Sequence, residues 1–162
     1  MSGTLKDAMA SFTTGVTVVT AHYEGRDWGM TCNSFNTVSL DPALVLWSIR
    51  HSASSHPAFV RGGGYAVSIL SREQEALAMQ FTRGTQEERF AGVAVERTAS
   101  NRARIQGALA WFDCELQQAI AAGDHDILIG RVLDFNSFPG QGLAYVRRTF
   151  GVLQPLAAPV AN

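Results

Sequence analysis

Cysteine is scarce in this chain: Cys32 and Cys114 are the only two in 162 residues, and they form no Cys-x-x-Cys pair. That argues against a disulfide framework and a cysteine-built zinc cage, and fits a reducing cytoplasm. Lysine is scarcer still. Lys6 stands alone among 13 cations, the rest being arginine, and 14 acidic residues bring the net charge to −1. No polybasic surface is available for nucleic acid or anionic membrane. The longest apolar run, Ala43 to Trp47, is far too short to span a bilayer, and the N-terminus carries Lys6 and Asp7 without a secretory apolar segment. The expectation is a soluble, cytoplasmic protein with no nucleic-acid or membrane partner. Also missing are a Walker loop, a Ser/His/Asp nucleophile arrangement and paired catalytic carboxylates. The dinucleotide fingerprint GxGxxG is absent as well, since Gly140-Gln141-Gly142 lacks the third glycine.

What is present is enough apolar residue, 46% of 162, for one well-buried core and one domain spanning residues 1–162. Thr4 and Asp7 have capping-box spacing and open a short N-terminal helix over 4–12, within residues 1–11 of the domain's leading segment. From Gly15 the period changes to that of a strand. Glu24-Gly25-Arg26 reads as a hairpin turn into a second strand near Trp28. Residues 43–49 are apolar on both faces, which predicts a wall covered by a partner subunit. Ser54-Ser55-His56-Pro57 starts a helix that Gly62-Gly63-Gly64 ends, and Tyr65 to Leu70 makes another strand. Ser71/Gln74 and Thr85/Glu88 are further capping boxes, opening helices that turn Leu77, Phe81 and Phe90 inward. Strands follow over 111–120, 127–135 and 142–147, and a Pro/Ala-rich tail runs over 155–162. Many short strands without a βαβ rhythm predict a mainly β, antiparallel barrel with short helical insertions.

Five stretches hold side chains able to do chemistry. Met30-Thr31-Cys32-Asn33-Ser34 places small hydroxyl and amide groups where a strand becomes a loop, a backbone able to line a flat polar ligand. An ordinary strand end with Asn/Ser turn chemistry explains the same residues. Ser48, Arg50, Ser54 and Ser55 gather hydroxyls and a cation at a helix start, where N–H groups favour an anion such as phosphate. Plain capping by Ser54 or Ser55 is the simpler alternative. Arg83 and Arg89 lie between Phe81 and Phe90, two aromatics read as core. Gly123-Asp124-His125-Asp126 sets a histidine between two aspartates in a turn. No metal is expected there, because one histidine is local and neighbouring side chains on extended backbone point apart. Tyr145 and Arg148 lie on and beside the closing strand. His22, His51 and His56 show no partner pattern and are assigned to loops or caps.

Taken together from Phe12 to Leu153, these stretches resemble the short-chain NAD(P)H:flavin oxidoreductases, the reductase components of two-component flavin-dependent monooxygenases. Residues 30–46 are similar to the family's flavin-binding segment, and Gly123-Asp124-His125 matches its Gly-Asp-His motif. Phe81-Thr82-Arg83 departs from the family's Phe-Ala-Gly. The resemblance implies a flavin reductase-like, FMN-binding split β-barrel of antiparallel Greek-key form, working as a homodimer. It implies that FAD or FMN contacts Met30, Thr31, Cys32, Asn33, Ser34, Ser48, Arg50, Ser54 and Ser55, with Arg83 or Arg89 on the phosphate. Tyr145 and Arg148 would border the nicotinamide pocket, and His125 would serve catalysis beside the nicotinamide of NADH or NADPH. Reduced flavin would then pass to a separate oxygenase component. The alternative is a split-barrel electron carrier or redox sensor that keeps its flavin and does not oxidise NAD(P)H. A barrel without flavin, serving only in assembly, is a third reading.

Overall fold

A computed structural model describes residues 3–156, and its first element follows the capping signal. Thr4 Oγ1 accepts from the Asp7 amide while the Asp7 carboxylate takes the Thr4 N–H, closing the box on helix α1 (Leu5–Ala10). No residue of α1 is buried, so Leu5, Met9 and Phe12 leave their shared face exposed. The chain then runs through β1 (Thr14–Gly15), β2 (Thr17–Tyr23), β3 (Arg26–Cys32), β4 (Asn36–Leu40) and β5 (Ala43–Arg50). Helix α2 (His56–Arg61) leads to β6 (Gly64–Ile69), followed by the short helices α3 (Glu75–Gln80) and α4 (Gln86–Phe90). Strands β7 (Val95–Arg97), β8 (Ala103–Ile105), β9 (Ala110–Ala122), β10 (His125–Ser137), β11 (Ala144–Val146) and β12 (Thr149–Gly151) complete the described chain. No helix among the described residues is long and apolar enough to cross a membrane.

Seven strands form one antiparallel sheet in the order β3-β2-β6-β9-β10-β5-β4, flanked by a three-stranded sheet β1-β11-β12 and the pair β7-β8. The protein is mainly β. Its frame is the β9–β10 hairpin, in which Gly123 turns at φ 66°, a left-handed value that glycine adopts without a Cβ penalty. This tight turn lets pairing begin at Ala122 and His125, so both strands are longer than the hydrophobic pattern alone predicts. Two other boundaries differ from expectation. Residues 36–40 form a strand of their own, paired back on β5, because Asn36 to Leu40 is extended enough to add to the sheet edge. The closing strand is shorter than 142–147 and is answered by β12. Between them Arg147 and Arg148 both take left-handed φ values, 49° and 64°. The predicted tail from Pro155 lies, beyond residue 156, outside the described residues.

Strand β2 separates two apolar clusters. Val19 and Ala21 join Trp47, Phe59, Tyr65 and Leu128 on one side, whereas Val16 and Val18 join Leu70, Phe81 and Ile105 on the other. Trp47 is fully buried and meets Phe59 edge-on at 4.8 Å between ring centroids, an arrangement the ring quadrupoles favour. On β5 the burial alternates. Val45, Trp47 and Ile49 are buried while Ala43, Leu44 and Leu46 remain half-exposed. The second apolar face of this strand is therefore only partly covered within one chain. Near the start of β9, Asp113 is buried against Arg102, whose Nη1 donates to Oδ1 at 2.7 Å.

Candidate functional site

The end of β3 is pinned from one side by α3. Thr31 Oγ1 donates to the Ala78 carbonyl at 2.6 Å, and the Thr31 amide donates to Phe81 O at 3.3 Å. This close approach needs Gly29, where an added Cβ would lie 2.6 Å from Phe81 Cε1. Strand β3 thus ends at a fixed height, and the chain leaves it through Asn33 and Ser34. A cavity of about 390 Å³ opens here, bounded by Thr31, Cys32, Asn33, Met79, Tyr145 and Arg148. A second, of about 440 Å³, shares Asn33 and Tyr145 and adds Ser34, Thr14 and the end of α1. Five sequence-predicted residues therefore border one space, and Ser34 borders its neighbour.

Their side chains are not equally available. Cys32 is buried, and Thr17 Oγ1 lies 3.3 Å from its Sγ and donates to its carbonyl at 3.0 Å, so it serves as wall rather than as a polar contact. Burial among apolar neighbours also pushes the other thiol, Cys114, up to about 12, which leaves it inert. Asn33 is exposed and makes no side-chain hydrogen bond to another described residue. Arg148 Nη2 reaches Asp7 Oδ1 at 3.0 Å, and the Arg147 amide donates to Ala10 O at 2.6 Å. Helix α1 is thereby tethered beside the cavity.

Ser34 also connects to a second group of predicted residues, on β5 and its neighbours. Its Oγ accepts from the Ser48 amide at 3.0 Å and donates to Ser48 O at 3.3 Å, which locks the loop to β5. Two residues on, Arg50 lies opposite His125 in the β5–β10 register. His125 Nδ1 and Asp124 Oδ1 are 2.7 Å apart, and this hydrogen bond holds the Asp124 carboxyl below its usual range. Ser55 occupies the N-cap position of α2 but makes no capping bond, contrary to the capping alternative; its Oγ instead lies 3.6 Å from Met30 Sδ. Ser54 is exposed in the same turn. The two candidate arginines separate cleanly. Arg89 donates from Nη1 to Gly29 O at 2.8 Å and from Nε to Arg83 O at 3.3 Å, so it fastens α4 to β3. Arg83 is exposed and outside both cavities.

Asp126 does not pair with the adjacent His125. Successive strand residues point to opposite faces, and Asp126 instead meets His51 Nε2 at 3.0 Å and His56 Nε2 at 2.7 Å. Those two bonds hold its carboxyl below the usual range. His22, also read as unpartnered, sits 2.9 Å from Asp27. Sequence reasoning missed these pairs, and it missed Thr14, Met79 and Thr82 in the cavity walls.

The walls suit a flat heterocycle with polar edges. Met79 and Tyr145 offer apolar area, Asn33 offers an amide, and Thr14 Oγ1 is buried in the neighbouring wall with no hydrogen-bond partner among the described residues. A site with that balance is the ordinary form of a cofactor pocket. The flavin reductase-like domain pattern matches residues 9–154. The chain belongs to the flavin reductase-like family. It is 42% identical over 150 residues to the NADH-dependent FMN reductase SmoA of Agrobacterium fabrum, covering 93% of this chain and 85% of that one. It is 43% identical over 147 residues to the reductase component of a flavin-dependent trigonelline monooxygenase from Acinetobacter baylyi, covering 90% of this chain. The chain spans 47% of that relative's length. Among solved structures, the NADH:FAD oxidoreductase SgcE6 of Streptomyces globisporus, determined with NAD and FAD fragments, superimposes with a TM-score of 0.85 at 32% identity. That match covers 98% of this flavin reductase-like chain and 93% of the other.

Proposed function

We propose that this chain is an NAD(P)H:flavin oxidoreductase that reduces FAD or FMN and releases the product to a separate oxygenase component in the cytoplasm. The observation that carries the reading is the shared cavity wall of Thr31, Cys32, Asn33 and Tyr145, set in a chain matching the family over residues 9–154. Flavin and nicotinamide, when bound, would supply the redox chemistry, hydride transfer between their rings, so no protein nucleophile is required. The polypeptide's part is to hold them. Asn33 would hydrogen-bond the flavin's polar edge beside Cys32, with Met79 and Tyr145 packing its rings. Ser34, locked to Ser48, keeps that edge in place. Arg50 and the exposed Ser54 would meet the phosphate, with Arg83 the freer of the two loop arginines. His125 would orient the nicotinamide or supply the proton that completes flavin reduction.

The proposal includes a split barrel of Greek-key form that works as one domain and as a homodimer. An open apolar groove supports the second copy: Val38, Leu40, Ala43, Leu44, Val132 and Phe135 line it, and Leu40 is 96% exposed. Covering it would complete the burial of β5. A steady-state assay decides the activity. NADH oxidation should rise with added free FAD or FMN, and gel filtration should separate protein from flavin. A yellow protein that keeps its flavin and oxidises no NAD(P)H would establish the carrier instead.

A further inference from the structure

The β9–β10 turn and the loop after β5 bring together three groups that the flavin reading leaves unused. Asp126 is the second residue of β10, His51 follows β5 directly, and His56 opens α2. Their backbones are held: the His51 amide donates to Asp124 O and the His56 amide to Ala53 O, each at 3.0 Å, while Asp126 lies opposite Ile49 in the sheet. We propose that His51, His56 and Asp126 form a binding site for one divalent transition-metal ion of the zinc class.

The donor atoms already converge. The carboxylate oxygens stand 3.0 and 2.7 Å from the two Nε2 atoms, and one ligand atom from each residue falls within 4.8 Å of the others. Zinc bonds of about 2.0–2.1 Å place tetrahedral ligand atoms roughly 3.3 Å apart, so the ion needs adjustments on the order of an ångström. The His51 side chain is the one free to make them, being 44% exposed against 21% for His56 and 15% for Asp126. Each ring would present its Nε2 lone pair, with the ring proton on Nδ1. Two imidazoles and one carboxylate suit zinc, cobalt, nickel or copper; magnesium and calcium prefer shells built of oxygen. The solvent side leaves a vertex for water, as in zinc sites with three protein ligands. His125 leaves β10 on the opposite face, so the ion would not compete for that imidazole. It would instead clamp the loop carrying Ser54 and Ser55 to the sheet. The site stands whether or not the chain reduces flavin.

The untagged full chain, stripped with chelator and desalted, is titrated with Zn²⁺ by calorimetry and with Co²⁺ by visible absorption, Mg²⁺ serving as control. One Zn²⁺ per chain, Co²⁺ bands of nitrogen–oxygen coordination, and no response to Mg²⁺ are expected. Zn²⁺ should also raise the melting temperature by mass action. The double variant His51→Ala/His56→Ala should bind at least tenfold more weakly and show no melting shift. Should it fail to fold, the single variant His51→Asn, changed at the exposed ring, should show the same tenfold loss. A wild-type chain that binds no Zn²⁺ overturns the proposal. So does stoichiometric binding that survives in the variants, which would put the ion elsewhere.

Discussion

Arg102 and Asp113 form an ion pair at 2.7 Å with almost no contact with water, the Asp113 side chain being 1% exposed and that of Arg102 11%. Asp113 Oδ2 also accepts from the Ser100 amide at 3.3 Å, so the carboxylate ties the β7–β8 connection to β9. Breaking a buried pair by removing one partner strands the other charge, which costs about 3–5 kcal/mol. Asp113→Ala should therefore lower the unfolding free energy by about that much. Replacing both residues with apolar ones, Arg102→Met with Asp113→Leu, should cost clearly less. Urea melts of the three chains give the comparison.

Asp7 links the start of the chain to the cavity wall. Hydrogen bonds from Thr4, and then from Arg148, draw its carboxyl down to about 2. An unfolded aspartate titrates near about 3.9, so the folded value is depressed. Stability from such a group is complete above the unfolded value and is lost as pH falls through the folded one. Helix α1 should hold at pH 5 and loosen as pH drops from about 4 toward about 2. Asp7→Asn should loosen it already at neutral pH. Amide chemical shifts of residues 5–10, followed by NMR, report both.

For His125 the expectation is kinetic. If it positions the nicotinamide, His125→Ala should raise the KM for NADH by roughly ten- to a hundredfold, the worth of a hydrogen bond to a charged group, and leave the KM for flavin within a few fold. Equal rises in both constants would remove it from that role.

The two loop arginines should behave differently. Arg89→Met removes a donor from the Gly29 carbonyl and should cost about 1–2 kcal/mol in a thermal or urea melt. Arg83→Met should leave the melt unchanged. If Arg83 reaches the phosphate, that same variant should weaken FMN and FAD while lumiflavin, which lacks the phosphate, binds as before. Flavin titrations by fluorescence make the distinction.

Association through the apolar groove predicts a dimer that one charge can break. Leu40→Glu places a carboxylate where a second copy would sit, and sedimentation velocity should show a monomer. A wild-type chain that is already monomeric would refute the interface.

Much of this was legible in the sequence where the determinants are local. The three capping boxes at Thr4, Ser71 and Thr85 form because their partners lie three residues away. The strand character of β2 and the near-continuous apolar run of β10 likewise needed only neighbouring residues. The grouping of Thr31, Cys32 and Asn33 followed from their adjacency. What escaped is long-range. Asp126 finds His51 and His56 across 75 and 70 residues, a pairing set by sheet register and invisible in a turn read alone. Arg89 looked like a phosphate ligand because its charge is legible, whereas the Gly29 carbonyl it satisfies is not. Met79 and Thr82 entered the cavity wall only through the docking of α3 onto β3, which depends on the missing side chain of Gly29.

The hairpin between β11 and β12 invites a trap for anyone engineering heat resistance. Arg147 and Arg148 both hold left-handed backbone in a two-residue turn, a geometry that Asn-Gly accommodates and that costs other residues roughly 1–2 kcal/mol each. Installing Asn-Gly would relax the turn and harden the protein. It would also cut the guanidinium strap to Asp7 and strip a cation from the cavity rim, so the hardened protein would hold its leading helix by the residue-147 amide alone and have a less basic pocket mouth.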